Sequence, residues 1–230
     1  VSGVSVVDFN NYINSGDGDE LSISTIPPSS GEILNTVYGG TLEPLGDLLY
    51  NYTPPEGYPA DFILFKVNDG QSQSGLAFGT FSLNDGPLSS SSPTNAFDDA
   101  VYIPEDNEYW VDFVGLDVSY PFSGDESITI TQSPVHGTLS TPEQLETNTP
   151  LLVQWKALYS PDADYYGADS IKYTVTNPEN PNGPSSEAII TITIFPVNDS
   201  PEITSLPDGN VVNGYNWTPG MYGGTIVVDP

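Results

Sequence analysis

The chain has 230 residues and a mass of 24.6 kDa, enough for one or two domains that each bury a core, and it carries 31 Asp and Glu against three lysines and no arginine. A formal net charge of −28 repels phosphate backbones and anionic membrane surfaces, so nucleic acid and acidic lipid are excluded as natural partners. Cysteine is absent, which removes disulfides, thiolate metal sites and cysteine nucleophiles.

This charge destabilises a compact body by self-repulsion unless it is screened or neutralised, and divalent cations neutralise it most efficiently. Simple solubility, or life in a salty medium, accounts for the same composition. The chain is not of the disordered acidic type, because 37% of it is hydrophobic and 14 residues are tyrosine. No apolar run reaches the roughly 18 residues of a membrane span, and no basic start leads into an apolar core.

In chain order, residues 4–8 open with a short β-like run ending in Asp8, Trp110 to Phe113 echoes it around Asp112, and Thr225 to Asp229 repeats it again. These anchors stand about one small β-sandwich apart. Other landmarks keep that register. Ser22 to Thr25 matches Ile128 to Thr131, and Pro28 and Gly31 match Pro134 and Gly137. Tyr52-Thr53-Pro54 matches Tyr159-Ser160-Pro161, and Asp61 to Val67 matches Asp169 to Val175. Ser170–Thr176 and Ala188–Ile194 alternate β-branched or aromatic residues with small polar ones, the period-2 signature of a strand with one buried face. Between them Asn177 to Pro184 is a run of Asn, Pro and Gly that no helix crosses. The fold class expected is all-β: tandem antiparallel β-sandwiches.

Asn84-Asp85-Gly86-Pro87 and Asn198-Asp199-Ser200-Pro201 each end a strand-like run, since proline cannot donate to a ladder, and they mark junctions. The first is followed by the Ser-rich connector Leu88 to Thr94. The expected domains are residues 1–86, a sandwich without its opening strand; 87–201, a complete one; and 202–230, the start of a third repeat.

Tyr166-Gly167-Ala168-Asp169-Ser170, the Ile-Thr-Ile-Thr-Ile run and Val197-Asn198-Asp199-Ser200-Pro201 carry a resemblance to cadherin-like, immunoglobulin-fold tandem repeats of very long extracellular and surface proteins. The opening Ala96 to Asp106 resembles that family's paired acids followed by Glu-Asp. The match spans residues 93–201 and, more loosely, 4–87. It departs where Tyr58-Pro59-Ala60-Asp61 lacks the glycine and where Asn177 stands against Asp69 of the first copy.

The resemblance implies calcium at junctions, held by carboxylates as a hard cation requires. On that basis Asp85, Asp99, Glu105, Asp106, Asp125 and Asp169 serve the second repeat, Asp199 the second junction, and Asp61 with Asp17 or Asp19 the first repeat. Gly16 to Glu20 reads equally as an acidic hairpin turn. Asn51, Asn198 and Asn216 fit the N-glycosylation sequon.

No catalytic constellation stands out. The single histidine, His136, lies in a turn that the repeat itself explains, and the abundant carboxylates sit at turns and boundaries. Trp110, Trp155 and Trp217 either fill cores or build a sugar-stacking platform. The expected role is therefore structural or adhesive and not enzymatic. The chain would be an extracellular or cell-surface spacer, fibre or filament segment, calcium-stiffened, with neighbouring repeats, copies of itself or glycans as partners. The alternative is a carbohydrate-binding or targeting module of a secreted enzyme.

Overall fold

Every period-2 run of the described residues forms a strand. The structure, a computed structural model, describes residues 5–13, 20–29, 31–58, 60–69, 73–83, 94–118, 122–147 and 149–198. The described residues up to Val197 belong to one compact unit. The expected third repeat lies outside the described residues.

The first sandwich faces a sheet of β1 (Ser5–Asp8), β5 (Leu49–Thr53), β4 (Thr41–Gly46) and β3 (Leu34–Asn35), in that order, against β2 (Ser22–Ile26), β6 (Ala60–Asn68) and β7 (Ala77–Ser82). Leu42, Tyr50, Tyr52, Ile63 and Phe65 fill the space between, joined by Phe9, whose ring meets Tyr50 and Phe65 edge-on. Two-residue alternation puts Tyr50 and Tyr52 inside and leaves Asn51 on the outer face, half-buried.

The second sandwich repeats the plan. One sheet runs β12 (Gly137–Leu139), β14 (Leu152–Pro161), β10 (Tyr109–Leu116) and β8 (Asn95–Ala96), with β13 (Glu143–Leu145) also on β14. The other runs β11 (Ser127–Gln132), β15 (Gly167–Thr176), β16 (Ala188–Phe195) and β9 (Asp99–Pro104). All pairings are antiparallel except β9 on β16, which is parallel from Asp99 opposite Ile190 to Pro104 opposite Phe195. Val111, Phe113, Trp155, Tyr159, Ile171, Tyr173 and Ile190 sit in its core at 4% exposure or less. Each such side chain stabilises by about 1.5–3 kcal/mol.

The repeat landmarks acquire a physical reason. Asp61 is fully buried and accepts from the Thr36 hydroxyl, the Tyr52 hydroxyl at 2.9 Å, and the backbone N–H groups of Tyr38 and Phe62 at 3.1 and 2.8 Å. Asp169 does the same, accepting from the Tyr159 hydroxyl at 3.0 Å and from the N–H groups of Val135, His136 and Ser170 at 2.9, 2.9 and 2.8 Å. The Tyr159–Asp169 pair clamps the loop that crosses from β11 in one sheet to β12 in the other, and the Tyr52–Asp61 pair clamps the turn between β3 and β4. Each loop adds an aromatic stack, Tyr38 on Tyr58 at 4.6 Å and His136 on Tyr165 at 4.0 Å. His136 is thereby a loop brace.

One landmark moves. A Cβ on Gly40 would meet Asp61 Oδ2 at 2.5 Å and one on Gly137 would meet the Tyr159 hydroxyl at 2.8 Å, so these two glycines press on the clamps, whereas Gly31 stands in an open turn at φ +81°. The longer first-repeat loop shifts the role from the glycine that matches in sequence to one nine residues on.

Burial raises the hydroxyl pKa of Tyr50, Tyr52, Tyr109, Tyr159 and Tyr173 above 10, and pushes Tyr38 up to about 12. Tyr173 donates to and accepts from the backbone of Phe97 and Val114. Unfolded tyrosines ionise near pH 10, so the stability these groups hold is complete below about pH 10 and is lost as pH rises through their folded values, at up to about 1.4 kcal/mol per pH unit for each. Stability should be flat through neutral pH and collapse between about pH 10 and 12, with tyrosinate absorbance and far-UV circular dichroism changing together. Tyrosinate appearing well before the loss of sheet signal would disprove this.

A candidate inter-sandwich interface

Strand β6 departs from simple alternation, because Asp-Phe-Ile-Leu-Phe-Lys-Val is apolar on both faces. Ile63 and Phe65 point into the first core, while Phe62, Leu64 and Lys66 point out of that sandwich and are still buried. What covers them is the second sandwich. Phe62 and Leu64, with Ile26, form one cluster with Phe97, Val114, Leu116, Val118 and Leu152. Val114 and Leu116 belong to the outer face of β10, whose inner face, at Val111 and Phe113, serves the second core. Phe78 stacks on Phe62 at 5.5 Å and Tyr38 meets Phe62 edge-on at 5.7 Å.

At the edge of this cluster lies a buried ionic triad. Lys66 Nζ reaches Asp99 Oδ2 at 3.0 Å and Asp112 Oδ2 at 2.9 Å, and the side chains are 3, 8 and 17% exposed. Lys66 comes from the first sandwich, Asp99 and Asp112 from β9 and β10 of the second. Their remaining oxygens are occupied: Asp99 accepts from its neighbour Ala100 N–H at 2.8 Å, and Asp112 from Gln154 Nε2 at 2.9 Å. Burial by itself would lower the Lys66 pKa, but the two carboxylates outweigh it and hold the ammonium above the ordinary lysine value. Burial raises the Asp99 carboxyl, with Lys66 pulling the other way. Beside the triad the Tyr109 hydroxyl donates to Gln73 Oε1 at 3.0 Å, again across the boundary.

A second buried acid stands nearby. Asp117 is fully buried, and its Oδ2 accepts from Thr94 Oγ1 at 3.0 Å, Asn180 Nδ2 at 2.6 Å and Asn177 Nδ2 at 3.4 Å. The Asn-Pro-Glu-Asn-Pro-Asn loop is therefore an amide donor set, and Asn177, which departs from its first-repeat counterpart Asp69, supplies one of the donors.

The residues expected to bind metal are dispersed. Asp99 faces Lys66 and Asp169 sits in its clamp. Glu105 is 4% exposed and accepts the Val197 N–H at 2.7 Å, tying the end of β16 to the β9–β10 turn. Asp106, at φ +61°, accepts the Asp164 N–H at 3.0 Å, and Asp125 is exposed ahead of β11. Asp17, Asp19, Asp85, Asp199 and the sequon Asn216 lie outside the described residues, and Asn198 is the last described residue. Among the described residues no three His, Cys, Asp or Glu side chains converge on one point. Of the tryptophans, Trp155 is core, and Trp110 is 48% exposed with Lys156 Nζ 4.6 Å above its ring.

Residues 84–193 match the family described as "Bacterial Ig domain", a stretch that takes in every described strand of the second sandwich but the end of β16. The second sandwich is Ig-like. This assignment agrees with the β9–β16 and β8–β10 pairings that frame it. Domains of this kind typically occur on extracellular or surface proteins. No curated protein matches the sequence.

Among solved structures, an endo-fucoidan hydrolase from glycoside hydrolase family 107 aligns at 15% identity and a TM-score of 0.32, over 79% of this chain and 24% of that one. The zebrafish RET cadherin-like domains 1 to 4 align at 11% and 0.32, over 78% and 41%. The D00–D0 domain of Intimin aligns at 13% and 0.28, over 81% and 98%. The chain thus spans about a quarter of the length of the fucoidan hydrolase.

Proposed function

We propose that the chain is a spacer or fibre segment of a long extracellular or surface repeat protein of the Val-Asn-Asp-x-Pro kind, whose two Ig-like sandwiches act as one rigid body. The observation that carries this reading is the two-sided burial of β6. An apolar cluster drawn from both sandwiches, closed by the Lys66–Asp99–Asp112 triad, makes the orientation of one sandwich on the other a matter of core packing and not of linker length. Stiffness then comes from direct contact. Calcium at a repeat junction, as the family resemblance implies, would add to it.

Spin labels placed one on each sandwich test this. A single narrow distance distribution is expected, unchanged by calcium, by chelator or by high salt, since a buried pair is screened far less than a surface one. A broad distribution, or one that narrows only when calcium is added, would sink the rigid-body reading. Thermal unfolding in the same two buffers reports the calcium contribution separately, because an ion that binds only the native state raises its melting temperature.

A further inference from the structure

Of the three lysines only Lys66 is buried, and both acids that meet it belong to the other sandwich. An amine and two carboxyl groups thus stand within 3.0 Å of one another's reach, at the edge of the apolar cluster around Phe62 and Leu64. The oxygens are sorted. Asp99 turns Oδ2 to Nζ while its Oδ1 accepts the Ala100 N–H at 2.8 Å, and Asp112 turns Oδ2 to Nζ while its Oδ1 is held by Gln154 Nε2 at 2.9 Å. Attraction only partly offsets the cost of drying three charges, one of them in excess. Joining the amine to a carboxyl would remove two of the three and release water from a place that excludes it.

We propose that Lys66 and Asp99 condense into a side-chain amide that joins the first sandwich covalently to the second, with Asp112 carrying the protons. One Nζ proton passes through Asp112 to Asp99 Oδ2, giving a neutral amine beside a neutral carboxyl. The Nζ lone pair attacks Cγ, and the Ala100 N–H stabilises the negative charge that develops on Oδ1. A second Nζ proton passes through Asp112 to Oδ2, the Cγ–Oδ2 bond breaks, and Oδ2 leaves as water. Nζ keeps one hydrogen, which it donates to the Asp112 carboxylate. One positive and one negative charge disappear together, and no oxidant, reductant or co-reactant is needed. Lys66 rests as the ammonium, so the neutral pair is a minor form and the bond closes slowly after folding. Burial favours that form, since it raises Asp99 and opposes the charge on Lys66. The ionic triad is the reactant, and the effects of replacing its members refer to that state. In the product, tension passes from β6 to β9 through the amide, and residues 67–98 carry none of it. The bond rests on the interface of the rigid-body reading and holds under load what contact alone holds at rest.

Mass spectrometry of the whole chain tests this. Held folded and then denatured, the unaltered chain should weigh one water less than its sequence. The endoproteinase that cuts after lysine should cleave at Lys156 and Lys172 but not at Lys66, leaving residues 1–156 in one piece. Lys66→Arg, which keeps the cation but has no amine to acylate, should show its full sequence mass, and Asp99→Ala should show full mass and be cut after Lys66. Asp112→Asn should close the bond about a hundredfold more slowly, having lost the proton carrier. An unaltered chain that keeps its full mass and is cut after Lys66 overturns the inference, and if its spin-label distances stay narrow the rigid-body reading survives without the bond. A mass lower by one water that persists in Lys66→Arg would place the lost water in an Asp-Gly succinimide elsewhere, and overturns it as well.

Discussion

Replacing Lys66 with methionine should destabilise the two-sandwich unit by about 3–5 kcal/mol, because it leaves the Asp99 and Asp112 carboxylates facing each other in a buried site without their cation. The loss is not the worth of the ion pair itself. Taking all three groups out of water costs nearly as much as their attraction returns, so the triple variant Lys66→Met, Asp99→Asn, Asp112→Asn should recover most of the stability. The pH dependence separates an uncompensated charge from a packing fault. Burial already raises the Asp99 carboxyl, and removing Lys66 raises it further. A carboxyl raised in the folded state favours folding at low pH and loses that contribution as pH climbs through the raised value. The Lys66→Met deficit should therefore be smallest near about pH 4 and reach its full size by about pH 7, read by urea unfolding across that range. A deficit independent of pH would mean that methionine merely packs badly.

Asp61→Ala and Asp169→Ala should each cost about 3–4 kcal/mol, since each strands four donors, and an unmet buried donor costs roughly 1–3 kcal/mol before water relieves part of it. Asp61, fully buried, should suffer more than Asp169 at 7% exposure. Tyr52→Phe and Tyr159→Phe remove one donor and leave the carboxylate three, so about 1.5–3 kcal/mol is expected. Burial raises the Asp169 pKa, but three backbone N–H groups and the Tyr159 hydroxyl reverse this, and the net shift is downward. A lowered carboxyl stabilises above its unfolded value, and that contribution fades as pH falls below about 4, so Asp169→Ala should flatten the acid limb of the stability curve. The clamp also gives a clean comparison with the calcium role that family resemblance assigns to Asp169. If the clamp is its work, the loss is equal in calcium and in chelator. A loss that appears only when calcium is present would make it a ligand.

How much of this was legible in the sequence depends on the kind of signal. The clamps show themselves as paired landmarks, Tyr52 with Asp61 and Tyr159 with Asp169, because a buried hydrogen bond fixes residue type and spacing together in each copy. The sandwich fold followed from alternation in β15 and β16. The interface was signalled too, and overlooked. A seven-residue stretch, Asp61 to Val67, with apolar side chains on both faces has no solvated side, and one of only three lysines in a chain of net charge −28 sits inside it. What could not be read is the partner: Asp99 and Asp112 look like any other acids here, and only the tertiary fold brings them to Lys66. Asp117 was hidden for a related reason. Its donors come from Thr94 and from a loop whose prolines read as punctuation, while the asparagines between them do the solvating.

The parallel pairing of β9 with β16 has a mechanical consequence. β9 lies near the start of the second sandwich and β16 at its end, and they run in the same direction, so tension on the chain pulls them along their length in opposite senses. The ladder from Asp99 to Pro104 is then sheared as a block, its bonds resisting together. Rupture force depends on the rate of that single step and not on equilibrium stability. Among the described residues this is the one parallel pairing, so the second sandwich has a shear-loaded element that its antiparallel ladders do not duplicate.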